Sequence, residues 1–137
     1  MAGVALAPTA GDVSRWLQEA QRGSANAAFW LGVAYQLGSG VNQDFAEALK
    51  WFLESAQLGD ADAENALGQI YEGGRGVQPD YVRAAFWYQS ACENRPGHGG
   101  AGQGCNNLGL LYFDVRGVPR NDVEAYKYFK LAGTTVT

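Results

Sequence analysis

One motif, L-G-x2-Y-x4-G-V, occurs three times in this chain and constrains its fold more than any other feature. The copies begin at Leu31, Leu67 and Leu108, so they are separated by 36 and then by 41 residues. Downstream of each copy three further registers match: an Asp or Asn, then an Ala, then a pair of aromatic residues. A self-similar period in this range is typical of repeat proteins, in which each repeat is one supersecondary unit stacked on its neighbours. The sequence therefore predicts a repeat architecture.

Each repeat carries the pattern of two helices joined by a glycine-containing turn. In the first repeat, Ser24 is a potential N-cap, and apolar residues at helical spacing predict a helix from Ala25 to about Leu37. Asp44 is the potential N-cap of a second helix that extends to about Leu58. The turn glycines Gly40, Gly76 and Gly117 are expected to adopt a positive φ. The mid-helix glycines Gly32, Gly68 and Gly109 are expected to permit close helix packing that offsets their low helix propensity.

The chain is predicted to form a single all-α solenoid of seven helices in antiparallel pairs. An apolar stripe from Asp12 to Arg22 aligns with the second helix of a repeat, so we interpret this segment as a half-repeat with Asp12 as its N-cap. The predicted organisation begins with a flexible tail at residues 1–11 and ends with a second tail at residues 134–137. Between them, residues 12–133 form a solenoid composed of a half-repeat (12–23) and three repeats (24–59, 60–95 and 101–133). Ala5-Leu6-Ala7 has the form of an export cleavage site, but the stretch has no basic region before it, and a disordered start is the alternative.

Composition limits the classes of partner. The 137 residues include 10 Lys plus Arg and 14 Asp plus Glu, a net charge of −4, which disfavours binding along a nucleic-acid backbone. No apolar run approaches the roughly 18 residues that a transmembrane helix needs, so we expect no membrane insertion.

The repeats resemble the Sel-1-like repeat, a relative of the tetratricopeptide repeat with a longer turn. The pattern A-x-A-x3-L-G-x2-Y-x2-G-x-G-V-x2-D, with its downstream Ala and Trp, is met by the second repeat at Ala61, Ala63, Leu67, Gly68, Tyr71, Gly74, Gly76, Val77, Asp80, Ala84, Trp87 and Ala91. The third repeat departs mildly, with Val115, Asn121 and Tyr128 at three of these registers. This resemblance implies a right-handed α-α superhelix and a role as an adaptor or assembly scaffold.

The two cysteines resemble those of the cysteine-rich bacterial branch of this family, in which A-C-(D/E) closes one repeat and G-C opens the next. Here Ala91-Cys92-Glu93 and Gly104-Cys105 carry both halves, and the glycine-rich segment between them, which we expect to be a loop, is five residues longer than in that branch. The resemblance implies a Cys92–Cys105 disulfide and hence an exported protein, periplasmic or secreted. Two buried reduced thiols are the alternative, and they would indicate a cytoplasmic protein.

No residue pattern points to an enzyme, a metal site or a cofactor. His98 is the sole histidine, and the glycines beside it supply no nucleophile or carboxylate that could activate it. The sequence contains no G-x-S-x-G, H-E-x-x-H or Walker motif. Two cysteines and this histidine do not form a complete zinc site. We therefore expect no catalytic residue, no metal and no cofactor.

The candidate binding residues lie on the first helix of each repeat, opposite the packed Ala and Leu face. In solenoids the first helices line the concave side. This face carries, in three equivalent sets, Phe29, Val33, Gln36, then Asn65, Gln69, Glu72, and then Asn106, Leu110, Phe113. Apolar side chains exposed there and rimmed by amides and a carboxylate suit a peptide or helix, whereas coverage by other side chains is the alternative.

We expect a non-enzymatic interaction module that binds a peptide or protein segment in this groove, as a monomer or a weak homodimer. The alternative is a cell-envelope protein that binds or hydrolyses β-lactams, an activity that the resemblance to the cysteine-rich branch brings with it. No activated serine in the sequence supports that alternative.

Overall fold

The computed structural model describes residues 7–94, 99–114 and 120–133, and within these ranges the chain forms seven α-helices and no strand. The helices are α1 (Ala10–Gln21), α2 (Ala25–Leu37), α3 (Phe45–Gln57), α4 (Ala61–Gly73), α5 (Tyr81–Glu93), α6 (Gly99–Asp114) and α7 (Asp122–Leu131). Each helix packs against the next, and α4 also packs against α6. The predicted all-α solenoid is confirmed. Some sequence predictions concern residues outside the described ranges. They are the turn at Gly117, the histidine His98, and residues 1–6 and 134–137 of the predicted tails.

Short polar residues begin the helices and glycines end several of them. Ser24 and Asp44 accept hydrogen bonds from backbone N–H groups of the first turns of α2 and α3, as predicted. Gly38 and Gly74, at the ends of α2 and α4, adopt the left-handed conformation, with φ of 69° and 67°. The turn glycines Gly40 and Gly76 both have φ of 79°, which confirms the positive φ expected from the sequence.

A glycine in the first helix of each pair contacts an aromatic ring of the second helix. A Cβ on Gly32 would lie 2.6 Å from Cδ1 of Phe52, and one on Gly109 would lie 2.8 Å from Cε1 of Phe129. The contact between Gly68 and the Tyr88 ring is of the same kind and tighter. Since real Cβ atoms do not approach a ring so closely, only glycine permits this helix separation. The close packing expected at these three glycines is therefore present.

The first helix begins earlier than predicted. Thr9, not Asp12, is the N-cap of α1, and Asp12 is the third helical residue. Thr9 accepts a hydrogen bond from the Asp12 backbone N–H at 3.2 Å, while the Asp12 carboxylate accepts one from the Thr9 backbone N–H at 3.0 Å. This capping box shifts the start of the helix to Ala10, inside the predicted N-terminal tail.

The glycine-rich segment before Cys105 is also corrected, because much of what we predicted as a loop is the first part of α6. Gly100 lies against the backbone of Ala61 and Asp62 at the start of α4. An ideal Cβ built on Gly104 would lie only 2.7 Å from Ala91 Cβ on α5. The missing side chains let α6 enter the space between α4 and α5. Tertiary packing thus overrides the low helix propensity of glycine here.

Cys92 and Cys105 form a disulfide that joins α5 to α6. Their Cα atoms are 4.5 Å apart and both side chains are buried in a core cluster with Tyr88 and Leu108. The disulfide implied by the resemblance is thus present in the structure, and the described residues include no free cysteine. Among the helices described, none is long and apolar enough to cross a membrane.

Replacing Gly68 with Ala should destabilise the fold by about 1–3 kcal/mol, because the new methyl group would overlap the Tyr88 ring. Gly102→Ala is the matched control: Gly102 lies in α6 with its nearest outside atom, Ala132 O, 4.0 Å from an ideal Cβ. That control should instead stabilise the protein by roughly 0.4–1 kcal/mol. Urea unfolding of both variants measures the effect, and equal stability of the two would contradict the packing argument.

Removing the disulfide should lower the free energy of unfolding by about 3 kcal/mol, because the bond closes a loop across a sequence separation of 13 residues. The measurement is urea unfolding of the oxidised protein and of a Cys92→Ala, Cys105→Ala variant. Adding a reductant should lower the midpoint of the oxidised protein only. A reductant-insensitive midpoint of the unsubstituted protein would show that the bond is absent in solution.

Candidate functional site

Three adjoining hollows run across α2, α4 and α6, the first helices of the three repeats. The hollows are lined by Gln36, Gln69, Glu72, Gly73 and Arg75; by Gln69, Gly102, Gln103, Asn106 and Asn107; and by Glu72, Asn107, Leu110, Leu111 and Asp114. Because neighbouring hollows share Gln69, Glu72 or Asn107, they form one continuous surface, which we call the groove. Its position on the first helices is the one expected for a solenoid's concave side.

The centre of the groove is built from amide side chains on α4 and α6. Asn65 on α4 is only 4% exposed and donates a hydrogen bond from Nδ2 to Gln103 Oε1 at 3.1 Å. Its Oδ1 accepts a hydrogen bond from Asn107 Nδ2 at 2.9 Å. A buried amide must have partners of this kind, since an unsatisfied one costs about 1–3 kcal/mol. The bonds hold Gln103 and Asn107 in place at the surface of the groove.

The α6 end of the groove is apolar. Leu110 is 47% exposed, and Phe113, three residues further along the helix, is 49% exposed. The Arg120 guanidinium lies 4.9 Å from the centre of the Phe113 ring, a cation–π contact that restrains the ring. Leu111 is buried behind this surface. The carboxylates of Glu72 and Asp114 flank the same hollow, so the apolar end has an acidic rim.

Glu72 is held by a tyrosine from the second helix of its repeat. The Tyr88 hydroxyl donates a hydrogen bond to Glu72 Oε1 at 3.1 Å, and Tyr88 is buried. Burial, together with the adjacent Glu72 carboxylate, raises the pKa of Tyr88 above its usual value of 10.0. The hydroxyl therefore stays protonated and remains a donor, which fixes the carboxylate at the edge of the groove.

Five of the nine predicted binding residues line the groove; they are Gln36, Gln69, Glu72, Asn106 and Leu110. Phe113 is exposed one turn beyond Leu110. Phe29 and Val33 differ from the expectation, since both are half-buried and pack against the core cluster around Phe52, the Phe29 ring meeting the Phe52 ring edge-on at 5.7 Å. Asn65 is buried as well, because it is bonded to two amides within the protein.

Sequence reasoning missed four side chains of the groove on α6, namely Gln103, Asn107, Leu111 and Asp114. The positions 103, 106, 107, 110 and 114 recur at helical spacing, so a stripe extended from Asn106 in both directions would have included three of them. Gln103 lies in the glycine-rich segment that we expected to be a loop, which hid its place on the helix.

A second buried polar cluster serves packing. Glu64 on α4 is 5% exposed and accepts hydrogen bonds from the hydroxyl of Ser90 and from Asn94 Nδ2, the latter at 2.7 Å. Asn94 also donates to the Gly59 carbonyl, which ties the end of α5 to the turn before α4. Within the described part of the chain no three His, Cys, Asp or Glu residues are placed to hold a metal ion.

The chain is similar to known repeat proteins over most of its length. The family model of the Sel1 repeat matches residues 25–60, 61–95 and 102–134. Among solved structures, a Sel1 repeat protein from Oxalobacter formigenes is 32% identical, with a TM-score of 0.81 over 90% of this chain and 49% of that one. A protective antigen of uropathogenic Escherichia coli with an SLR fold is 35% identical, with a TM-score of 0.81 over 88% of this chain and 25% of that one.

A third similar structure, cysteine-rich protein B of Helicobacter pylori, shares the fold at 22% identity, with a TM-score of 0.70 over 92% of this chain and 90% of that one. A search of curated protein sequences finds no match. The chain spans about half the length of the Oxalobacter protein and a quarter of that of the Escherichia coli antigen.

The Tyr88–Glu72 contact predicts a loss of stability at alkaline pH. In the unfolded chain Tyr88 ionises near its usual pKa of 10.0, whereas in the folded protein the pKa is higher. The stability that the neutral phenol contributes is therefore complete below pH 10 and is lost as the pH rises above it. We expect the urea midpoint to be lower at about pH 11 than at about pH 8, and the difference to be smaller for Tyr88→Phe, which has no phenol to ionise at this position. Identical pH profiles would contradict the raised pKa.

Proposed function

This chain belongs to the Sel1 repeat family, and on that premise we propose that it is an interaction module that binds a peptide or protein segment in the groove. Sel1 repeats generally serve as protein-interaction modules, and their proteins are generally non-enzymatic scaffolds. A non-enzymatic role for this chain is part of the proposal.

The observation that carries the proposal is the chemistry of the groove. It combines the half-exposed apolar side chain of Leu110, with Phe113 exposed one turn beyond it, with amides along its centre and carboxylates at its rim. Apolar groups exposed at the end of a concave surface favour burial by a partner, at about 25 cal/mol per Å² of apolar area. Amides supply both donors and acceptors, which suits the polar main chain of a peptide.

Export of the protein to the periplasm or beyond is a further part of this proposal. A disulfide between Cys92 and Cys105 persists in oxidising compartments and is reduced in most cytosols. The cysteine-rich neighbour of the same fold is consistent with export.

Substituting the apolar end of the groove should abolish partner binding without unfolding the protein. A displayed random library of peptides about ten residues long, roughly 33 Å when extended, is selected on the immobilised protein, and enriched peptides are titrated by fluorescence anisotropy. We expect the double variant Leu110→Ser, Phe113→Ser to bind them at least about tenfold more weakly, because the partner's apolar contacts are lost.

Phe86→Ser provides the matched control for this experiment. Phe86 is 62% exposed on α5, a second helix, so its loss removes a comparable apolar surface that is outside the groove. The control should bind the selected peptides as tightly as the unsubstituted protein. Failure to enrich any peptide, or unaltered binding by the double variant, would refute the proposed groove.

A further inference from the structure

We propose that the groove recognises the main chain of an extended, uncharged peptide segment through the amide groups of Gln103 and Asn107. This inference rests on the proposed function and deepens it, since it names the groups on the partner that are bound. The key residue is Asn65, which is buried beneath the two surface amides and hydrogen-bonded to both of them.

Asn65 fixes which end of each surface amide faces a partner. The Gln103 oxygen is occupied as the acceptor of the Asn65 Nδ2 hydrogen bond, so the Gln103 Nε2 group remains as a donor. Asn107 uses its Nδ2 group to donate to Asn65, so its Oδ1 atom remains as an acceptor. Both residues line the same hollow. The surface therefore presents one donor and one acceptor whose order along α6 is set from within the protein.

The two groups suit an extended backbone. Gln103 and Asn107 are four residues apart on α6, a rise of about 6 Å along the helix axis. Along one edge of an extended chain, both a carbonyl and an N–H group face outward within each two-residue repeat of roughly 6.6 Å. A partner carbonyl can thus accept from Gln103 while a partner N–H donates to Asn107. A helical segment cannot do this, because its own backbone groups are already bonded to each other.

The charges around the hollow restrict the composition of the segment. The residues that line the central hollow are amides and one glycine, so they offer no counter-charge to an ionised side chain. The carboxylates of Glu72 and Asp114 border the adjoining hollow, and the whole chain has a net charge of −4. Arg75 lines the other adjoining hollow, so an acidic side chain is disfavoured at the Leu110 hollow in particular. An uncharged segment with one apolar side chain over Leu110 matches the amide lining of the central hollow and the apolar side chain in the adjoining one.

Backbone N-methylation of the probe peptides tests main-chain recognition directly. Peptides enriched from the random library are synthesised with each backbone N–H replaced in turn by N-methyl, which preserves every side chain. We expect at least one position at which methylation weakens binding to the unsubstituted protein about tenfold or more, because a partner of the Asn107 oxygen is lost.

Gln103→Glu tests the protein side of the contact. The carboxylate can still accept the hydrogen bond of Asn65, but it presents an oxygen to the groove where Gln103 presents a donor. We expect about tenfold weaker binding of the same peptides. Gln18→Glu introduces the same charge on the exposed surface of α1 and should leave binding within about twofold.

The outcomes distinguish this inference from the proposed function. Uniform tolerance of N-methylation, or unaltered binding by Gln103→Glu, would overturn main-chain recognition while peptide binding in the groove stands. Enrichment of acidic peptides alone would overturn the composition that we infer. If no peptide is enriched, both the proposed function and this inference fail.

Discussion

The contact between a helix glycine and the aromatic ring of the next helix is the interaction on which the rest of the structure depends. Gly32, Gly68 and Gly109 each bring a first helix against the ring of its second helix, at Phe52, Tyr88 and Phe129 respectively. Because the contact recurs in every pair, it fixes a common separation within each repeat. The opposite faces of α2, α4 and α6 are thereby left for a shared groove.

The junction between the second and third repeats shows how one local change creates the site. The helix α6 begins nine residues before Leu108, whereas α4 begins six residues before Leu67, and Gly100 lets this earlier start lie against the backbone of Ala61 and Asp62. The Cys92–Cys105 disulfide holds α6 to α5 at the same junction. These constraints bring α6 close enough to α4 for Asn65 to bond two amides of α6. The amide centre of the groove is thus a consequence of helix packing.

The groove is asymmetric although the chain is repetitive. At equivalent registers, Phe29 packs into the core, Asn65 bonds to neighbouring amides, and Asn106 lines the central hollow. The repeat pattern fixes the positions that pack and leaves these registers free to vary. The amides, the apolar end and the acidic rim therefore belong to this chain in particular, and a partner would meet different chemistry on each repeat.

The sequence by itself determined the helix pairs, the repeat period, most helix caps and the face that forms the groove, because each follows from local spacing and backbone conformation. Only the tertiary structure decided the rest. It made a glycine-rich segment helical, since α4 and α5 surround it, and it turned Phe29, Val33 and Asn65 inward. Burial and hydrogen-bond partners depend on neighbours distant in the chain, and a periodic pattern does not encode which of those neighbours approaches most closely.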